Sequence, residues 1–262
     1  MGRLRNDAEK FPILHSLIIA LVFVAIVCAP LGLVTGLIFV EKKVSFWVAE
    51  IFLRLIVGAV GVILLKKYSL KGFSAFSLKS CALVLGIALI VCINNFPIIA
   101  SIKKEMVFYE KTINILLYII YCFSIAFAEE IIFRAIIAQI TQLGFLTSRH
   151  KHLISAVICS GIFALVHLVN LANGTPFLTV LWQVGYAFLI GVMLYICFIK
   201  TNNVLTCVFL HFIYDLGGLL TDKYGGIATG EQWNLPTIII TVTIGVLATV
   251  FFTIRLLNAD KN

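Results

Sequence analysis

Long apolar segments recur from one end of the chain to the other and leave no room for a soluble domain. The hydrocarbon core of a bilayer is about 30 Å thick, and an α-helix needs about 20 mostly apolar residues to cross it. With 61% hydrophobic residues, 12% charged residues and a mean hydropathy of +1.10, the chain lies far outside the range of soluble globular domains. The sequence therefore predicts one integral membrane domain over residues 1–262.

The apolar segments predict an all-α, polytopic transmembrane helix bundle of about eight spans. Backbone polar groups inside a bilayer must be satisfied internally, and helices achieve this within each segment. A kink is expected in the first span at Pro30. Residues 66–80 alternate lysines with apolar side chains, which predicts a short helix lying in the membrane interface. The predicted spans are residues 12–40, 45–65, 81–100, 112–144, 152–170, 178–199, 204–220 and 237–257.

The net charge of +8 is explained by topology rather than by nucleic-acid binding, because the basic residues are scattered over short loops and form no continuous patch. Loops rich in Lys and Arg stay in the cytoplasm, so the richer side predicts both termini to be cytoplasmic in a multi-pass protein of the cell membrane. The richer side contains Arg3, Arg5, Lys10, Lys66, Lys67, Lys71, Lys79, Arg149, Lys151, Lys200, Arg255 and Lys261, and the other contains Lys42, Lys43, Lys103, Lys104, Lys111 and Lys223.

Four polar residues in the apolar spans have a structural interpretation. Glu50 and Arg54 are four residues apart, so they lie on one face of the second span and neutralise each other as an ion pair. Asn94 and Asn95 are side chains that form hydrogen bonds between membrane helices. These four residues are therefore interpreted as groups that hold helices together.

Three charged residues in the fourth span, unlike the four above, are interpreted as part of a functional site. An ionisable side chain at hydrocarbon depth costs roughly 2.5 to 3.5 kcal/mol, and by default it marks a functional site. Glu130 and Arg134 share a helix face, whereas Glu129 is turned about 100° away and cannot use the same arginine equally well. The spacing predicts that Arg134 holds Glu130 ionised and leaves Glu129 available for chemistry.

Two later spans carry histidines at matching places. Glu129 precedes Ser148, in the polar turn after the fourth span, by as many residues as His167 follows it, so an antiparallel hairpin brings the two to equal depth. His211 lies closer to its own turn, near Asn202, and matches that depth only if the fourth and fifth helices project further into the cytoplasm. Hydrolysis requires a base that activates water, a second group that shares protons, and hydrogen-bond donors for the oxyanion. The carboxylates and imidazoles on these spans are side chains of the kind that can fill these roles.

Three motifs on three separate spans resemble those of the CPBP family, which contains the type II CAAX prenyl endopeptidases and bacteriocin-processing or bacteriocin-immunity (Abi-like) membrane proteins. They are Glu129-Glu130-x-x-x-Arg134, Phe163-x-x-x-His167 and His211-x-x-x-Asp215. The resemblance covers residues 112–220, which form the catalytic core by analogy. It implies a protease, an intramembrane hydrolase with a cavity inside the bundle, acting on a peptide or membrane-protein substrate in a bacterial plasma membrane.

The resemblance also implies roles for the motif residues. Glu129 is the general base that activates water, assisted by His167. His211 and Asp215 stabilise the oxyanion, although a carboxyl group donates a hydrogen bond only when it is protonated. Glu130, Arg134 and Phe163 support these groups. No cofactor is required by this mechanism.

Three alternatives remain open at this point. A zinc-dependent intramembrane metalloprotease would use Glu129, His167 and His211 as ligands, which is a donor set of the catalytic zinc type. A non-proteolytic bacteriocin-immunity protein would keep the fold without the chemistry. A proton-coupled transporter would use the carboxylates and imidazoles as a relay, but the sequence shows neither inverted repeats nor interrupted half-helices.

Overall fold

The computed structural model describes residues 2–28, 42–109, 114–148, 150–172, 174–228 and 235–259, and in this part the chain is an all-α bundle with one small sheet. The strands pair in antiparallel register, with Met106 opposite Ile227 and Phe108 opposite Gly225. The elements are α1 (Gly2–Lys10), α2 (Pro12–Val27), α3 (Lys42–Lys67), α4 (Leu78–Asn94), α5 (Ile98–Ile102), β1 (Met106–Phe108), α6 (Asn114–Gly144), α7 (Lys151–Ala172), α8 (Phe177–Thr201), α9 (Val204–Gly218), β2 (Gly225–Ile227) and α10 (Leu235–Ala259).

Five of the described helices, α3, α6, α7, α8 and α10, are long and apolar enough to cross a membrane. A sixth span is formed if α1 and α2, which meet at a bend of 112°, are counted together. The remaining predicted spans correspond to shorter apolar helices: α4 ends at Asn94, ahead of Pro97, and α9 is also short. The chain is therefore a multi-pass membrane protein. The kink predicted at Pro30 lies outside the described residues.

The interface helix predicted for residues 66–80 is wrong. Helix α3 continues to Lys67 and α4 begins at Leu78, and a loop joins them. The backbone groups of this loop bind other elements instead of each other: the carbonyl of Gly72 accepts from the Val204 amide (2.7 Å), and the carbonyl of Ser74 accepts from Asn203 Nδ2 (2.8 Å). Because these partners satisfy the loop at the start of α9, the local amphipathic pattern does not become a helix.

Helix α6 lies at the centre of the bundle and packs against both α3 and α9. Every side chain from Ile131 to Ile137 is buried. Gly58 and Gly61 of α3 allow the close approach, because they lie directly against the side chains of Phe127 and Ile131 of α6. The core of the protein therefore surrounds the α6 segment that follows the acidic pair.

The last turn of α9 is fixed by hydrogen bonds from two neighbouring helices. Asn95 Nδ2 donates to the carbonyl of Tyr214 at 2.8 Å, and Tyr118 Oη donates to the carbonyl of Leu216 at 2.6 Å. Asn94 donates to Thr241 Oγ1 of α10 at 3.1 Å. The interhelical role predicted for both asparagines is confirmed, and the two contacts on α9 bracket Asp215.

Candidate active site

The acidic pair stands where α6 changes its winding. The helix is α-helical from Asn114 to Glu130, a π-helix over Ile131–Ile137, and α-helical again to Gly144. Wide π-turns are rare inside α-helices and are frequently found at functional sites. Arg134 lies inside this segment, and its Nη1 is 2.9 Å from Glu130 Oε1. The predicted ion pair is thus confirmed, and both of its side chains are completely buried.

Glu130 binds a second partner from α9. His211 Nδ1 lies 2.7 Å from the same Glu130 Oε1 that accepts from Arg134. Since a carboxylate paired with a guanidinium accepts hydrogen bonds, Nδ1 is the donor in this contact. The other ring nitrogen, Nε2, then faces Asp215 Oδ1 at 3.6 Å and Glu129 Oε2 at 3.9 Å. His211 is therefore surrounded by three carboxyl groups.

The contact between Glu130 and His211 also shows that His211 and the acidic pair lie at the same depth in the bundle. Helix α6 continues to Gly144, whereas α9 begins at Val204, only seven residues before His211. At 1.5 Å per residue, α6 extends about 10 Å further than α9 beyond the shared site. This projection is the condition under which His211 reaches the acidic pair.

The two glutamates differ in accessibility. The side chain of Glu130 is fully buried, whereas that of Glu129 keeps 20% of its surface exposed. Glu130 is held by two donors, and Glu129 has the imidazole of His211 as its neighbour. Of the two carboxylates, Glu129 is the one that a water molecule or a substrate can reach.

The ring of Phe163 joins the three motifs. It packs edge-on against the imidazoles of His167 and His211, with centroid distances of 5.2 and 6.0 Å, and the guanidinium of Arg134 lies 4.2 Å from its centre. Such a cation–π contact is worth more where water is excluded, as it is here. Phe163 therefore sets the distance between the imidazoles and the buried ion pair.

His167 is placed at a 3₁₀ turn, Val166–Leu168, inside α7. Its Nδ1 lies 2.9 Å from the carbonyl oxygen of Phe163, which fixes the ring orientation and leaves Nε2 for other partners. Within the described residues, no hydrogen bond or ion pair joins His167 to Glu129. The structure thus brings His211, rather than His167, into direct contact with the acidic pair.

A zinc-dependent mechanism would require three ligand side chains grouped around one point. In the part of the chain that the structure describes, no three His, Cys, Asp or Glu side chains are grouped so that they could hold a metal ion.

A second, partly buried ion pair lies on α3. Glu50 Oε2 and Arg54 Nη2 are 2.6 Å apart, which confirms the pair predicted from their spacing. The Arg54 guanidinium also lies over the ring of Tyr121 of α6, 4.9 Å from its centre. Tyr118 and Tyr121 gave no signal in an apolar segment rich in aromatic residues, so sequence reasoning missed both.

Comparison with known families gives a match over the same part of the chain. Residues 111–217 match the family described as Rce1-like, type II CAAX prenyl endopeptidase Rce1-like. Comparison with curated proteins and with solved structures found no significant match. The matched residues contain all three motifs and helices α6 to α9, and the family is one of peptidases. The segment that carries the assembled site is therefore similar to the CPBP family.

Proposed function

We propose that this protein is an intramembrane endopeptidase in which Glu129 activates the water that hydrolyses a peptide bond. The observation that carries the proposal is the unequal pair: a buried Glu130 locked by Arg134 and His211, and beside it an accessible Glu129. A general base must be both ionised and reachable. Glu129 is reachable, with 20% of its side-chain surface exposed, and has an imidazole nitrogen 3.9 Å away.

The proposed reaction needs no covalent intermediate with the enzyme. The carboxylate of Glu129 removes a proton from water as the water oxygen attacks the carbonyl carbon of the scissile bond. The resulting tetrahedral intermediate carries the negative charge on the former carbonyl oxygen. When the C–N bond breaks, Glu129 returns the proton to the leaving amine, so protons and charge balance over the cycle.

His211 and Asp215 are proposed to stabilise the oxyanion, His211 as an imidazolium that donates from Nε2 and Asp215 as a protonated carboxylic acid, because neither a neutral ring with its proton on Nδ1 nor a carboxylate could donate there. The hydrogen bond from Nδ1 to Glu130 holds the ring so that Nε2 points toward Glu129 and Asp215, into the space where the intermediate would form. Preorganised donors of this kind often make the largest single contribution to catalysis, about 3 to 4 kcal/mol for each donor. The Glu130–Arg134 pair supports this geometry because Arg134 holds the carboxylate oxygen that accepts the hydrogen bond from Nδ1.

His167 is proposed to assist Glu129, as the family resemblance implies. Its Nδ1 is occupied by the Phe163 carbonyl, so Nε2 is the nitrogen available to hold the attacking water. The substrate is proposed to be a peptide or a membrane-protein segment, since Glu129 and His167 lie on helices long and apolar enough to cross a membrane. The bacterial plasma membrane is proposed from the family resemblance alone.

The proposal is tested by comparing membrane peptides in cells that carry the parent protein, Glu129→Gln or Glu105→Gln. Glu105 lies outside the helices, between α5 and β1, and is the matched control. A hydrolase predicts that one or more uncleaved precursors accumulate in the Glu129→Gln strain and in neither of the others. Identical peptide profiles in all three strains would refute the proposal.

A further inference from the structure

The end of α4 is in backbone contact with the last turn of α9, the turn that carries Asp215. A Cβ added at Gly217 would lie 2.7 Å from the backbone nitrogen of Phe96, and one added at Gly218 would lie 2.4 Å from Asn95 Nδ2. Glycine, which has no Cβ, permits this close approach. The end of α4 lies outside the segment that the family matches, yet it adjoins a group of the proposed site.

Two side chains hold the backbone of this turn on either side of Asp215. Asn95, directly after α4, donates from Nδ2 to the carbonyl of Tyr214 at 2.8 Å. Tyr118 of α6 donates from Oη to the carbonyl of Leu216 at 2.6 Å. The last four carbonyls of a helix have no partner within it, and that of Leu216 is one of these in α9. Asn95 and Tyr118 are called the last-turn clamp below.

The carboxyl group of Asp215, by contrast, has no hydrogen bond that fixes its direction. Its Oδ2 is buried without a partner among the described residues. Its Oδ1 lies 3.6 Å from His211 Nε2, which is longer than a hydrogen bond. The direction of this carboxyl group relative to His211 therefore follows from the position of its own backbone. That backbone is the part of α9 that the last-turn clamp holds on both sides.

We propose that Asn95 and Tyr118 are positioning residues for hydrolysis, because they hold the last turn of α9 where Asp215 faces His211 Nε2. This inference rests on the proposed role of Asp215 and His211 as oxyanion donors. A displacement of about 1 Å in a catalytic group can lower a rate by about 100-fold. Hydrogen bonds that only join helices would change stability and leave the folded protein at its parental rate.

The test compares Asn95→Ala and Tyr118→Phe with the control Asn94→Ala, in the full-length protein in liposomes. Asn94 donates one interhelical hydrogen bond of the same kind, to Thr241 on α10, which carries none of the three motifs. Each clamp variant is expected to lower kcat for peptide cleavage by about 10-fold with little change in KM. Asn94→Ala is expected to keep the parental kcat. A parental kcat in either clamp variant would overturn the inference.

A double-mutant cycle shows whether the clamp acts through Asp215. Tyr118→Phe is suited to it, because the ring stays and only the hydroxyl group is lost. Asp215→Ala removes the carboxyl group that the clamp places, so adding Tyr118→Phe is expected to lower kcat by less than about 2-fold further. A full further loss in the Asp215→Ala background would place the effect of Tyr118 elsewhere and would overturn its role.

A readout that requires no substrate separates this inference from the proposed function. Solid-state NMR of protein labelled with ¹³C in aspartate and ¹⁵N in histidine measures the distance between Asp215 Cγ and His211 Nε2, identified by its loss in Asp215→Ala. The distance is expected to increase in both clamp variants and to stay parental in Asn94→Ala. An unchanged distance in either clamp variant would refute the positioning role. If Glu129→Gln still cleaves peptides, the proposed function fails, whatever the distance shows.

Discussion

Replacing Arg134 with methionine tests the energetics of the site. Arg134 and Glu130 are completely buried, with a contact of 2.9 Å, and Arg134 also lies over the Phe163 ring at 4.2 Å. The substitution retains most of the side-chain volume but leaves the carboxylate of Glu130 without its guanidinium. Breaking a buried ion pair in this way costs about 3 to 5 kcal/mol, because the remaining charge stays desolvated.

The hydrogen bond between Glu130 and His211 reduces the loss of stability expected for Arg134→Met. Glu130 keeps one donor at 2.7 Å after the substitution, so part of its charge is still compensated. The lost cation–π contact adds about 1 to 2 kcal/mol in a water-free site. These terms overlap, and we expect the free energy of unfolding to fall by about 3 to 4 kcal/mol.

The assay is reversible unfolding in mixed detergent micelles, with Arg5→Met as the matched control. Arg5 and Glu9 form an ion pair of the same i, i+4 spacing and the same 2.9 Å distance, but their side chains are 40% and 36% exposed. Such a pair contributes less than about 1 kcal/mol. The double variant Glu130→Gln/Arg134→Met removes the uncompensated charge and is expected to recover stability without activity. Equal losses in Arg134→Met and Arg5→Met would refute the reasoning.

Three further predictions concern packing, metal and topology. Gly61→Val is expected to lower the free energy of unfolding by about 1 to 3 kcal/mol, because a Cβ at this position would lie 2.5 Å from the Ile131 side chain. Gly245 has open space around it, so the control variant Gly245→Ala is expected to be tolerated. Equal losses of stability in the two variants would contradict this expectation. Cleavage is expected to survive phenanthroline, and loss of activity that only added zinc restores would move the site to the metalloprotease class. A reporter fused after Asn262 is expected to read cytoplasmic from the distribution of basic residues, and an external signal would overturn that topology.

Contacts within one helix could be predicted from the sequence. A spacing of four residues places two side chains on one face at a known distance, so the pairs Glu50–Arg54 and Glu130–Arg134 followed from helix geometry alone. The order of the three motifs also predicted the family resemblance, and the family match covers residues 111–217. These predictions used only local rules and the order of the motifs.

Contacts between helices could not be predicted in the same way. The bond between His211 and Glu130 depends on how far α6 extends past α9, and the π-helix after Glu130 has no sequence signature. The loop between α3 and α4 was mistaken for a helix because its backbone is satisfied by the distant Val204 and Asn203. Such partners become visible only once the bundle is assembled.

The central claim is that Glu129 is the base, and single-turnover cleavage of a membrane-anchored peptide by purified protein in liposomes tests it most directly. Glu129→Gln preserves shape but accepts no proton, so the account predicts a rate at least about 100-fold below that of the parent, within the range of general-base contributions. Glu105→Gln should cleave at the parental rate, and unfolding in micelles should show that both variants are folded. A folded Glu129→Gln variant that cleaves at the parental rate would contradict the account.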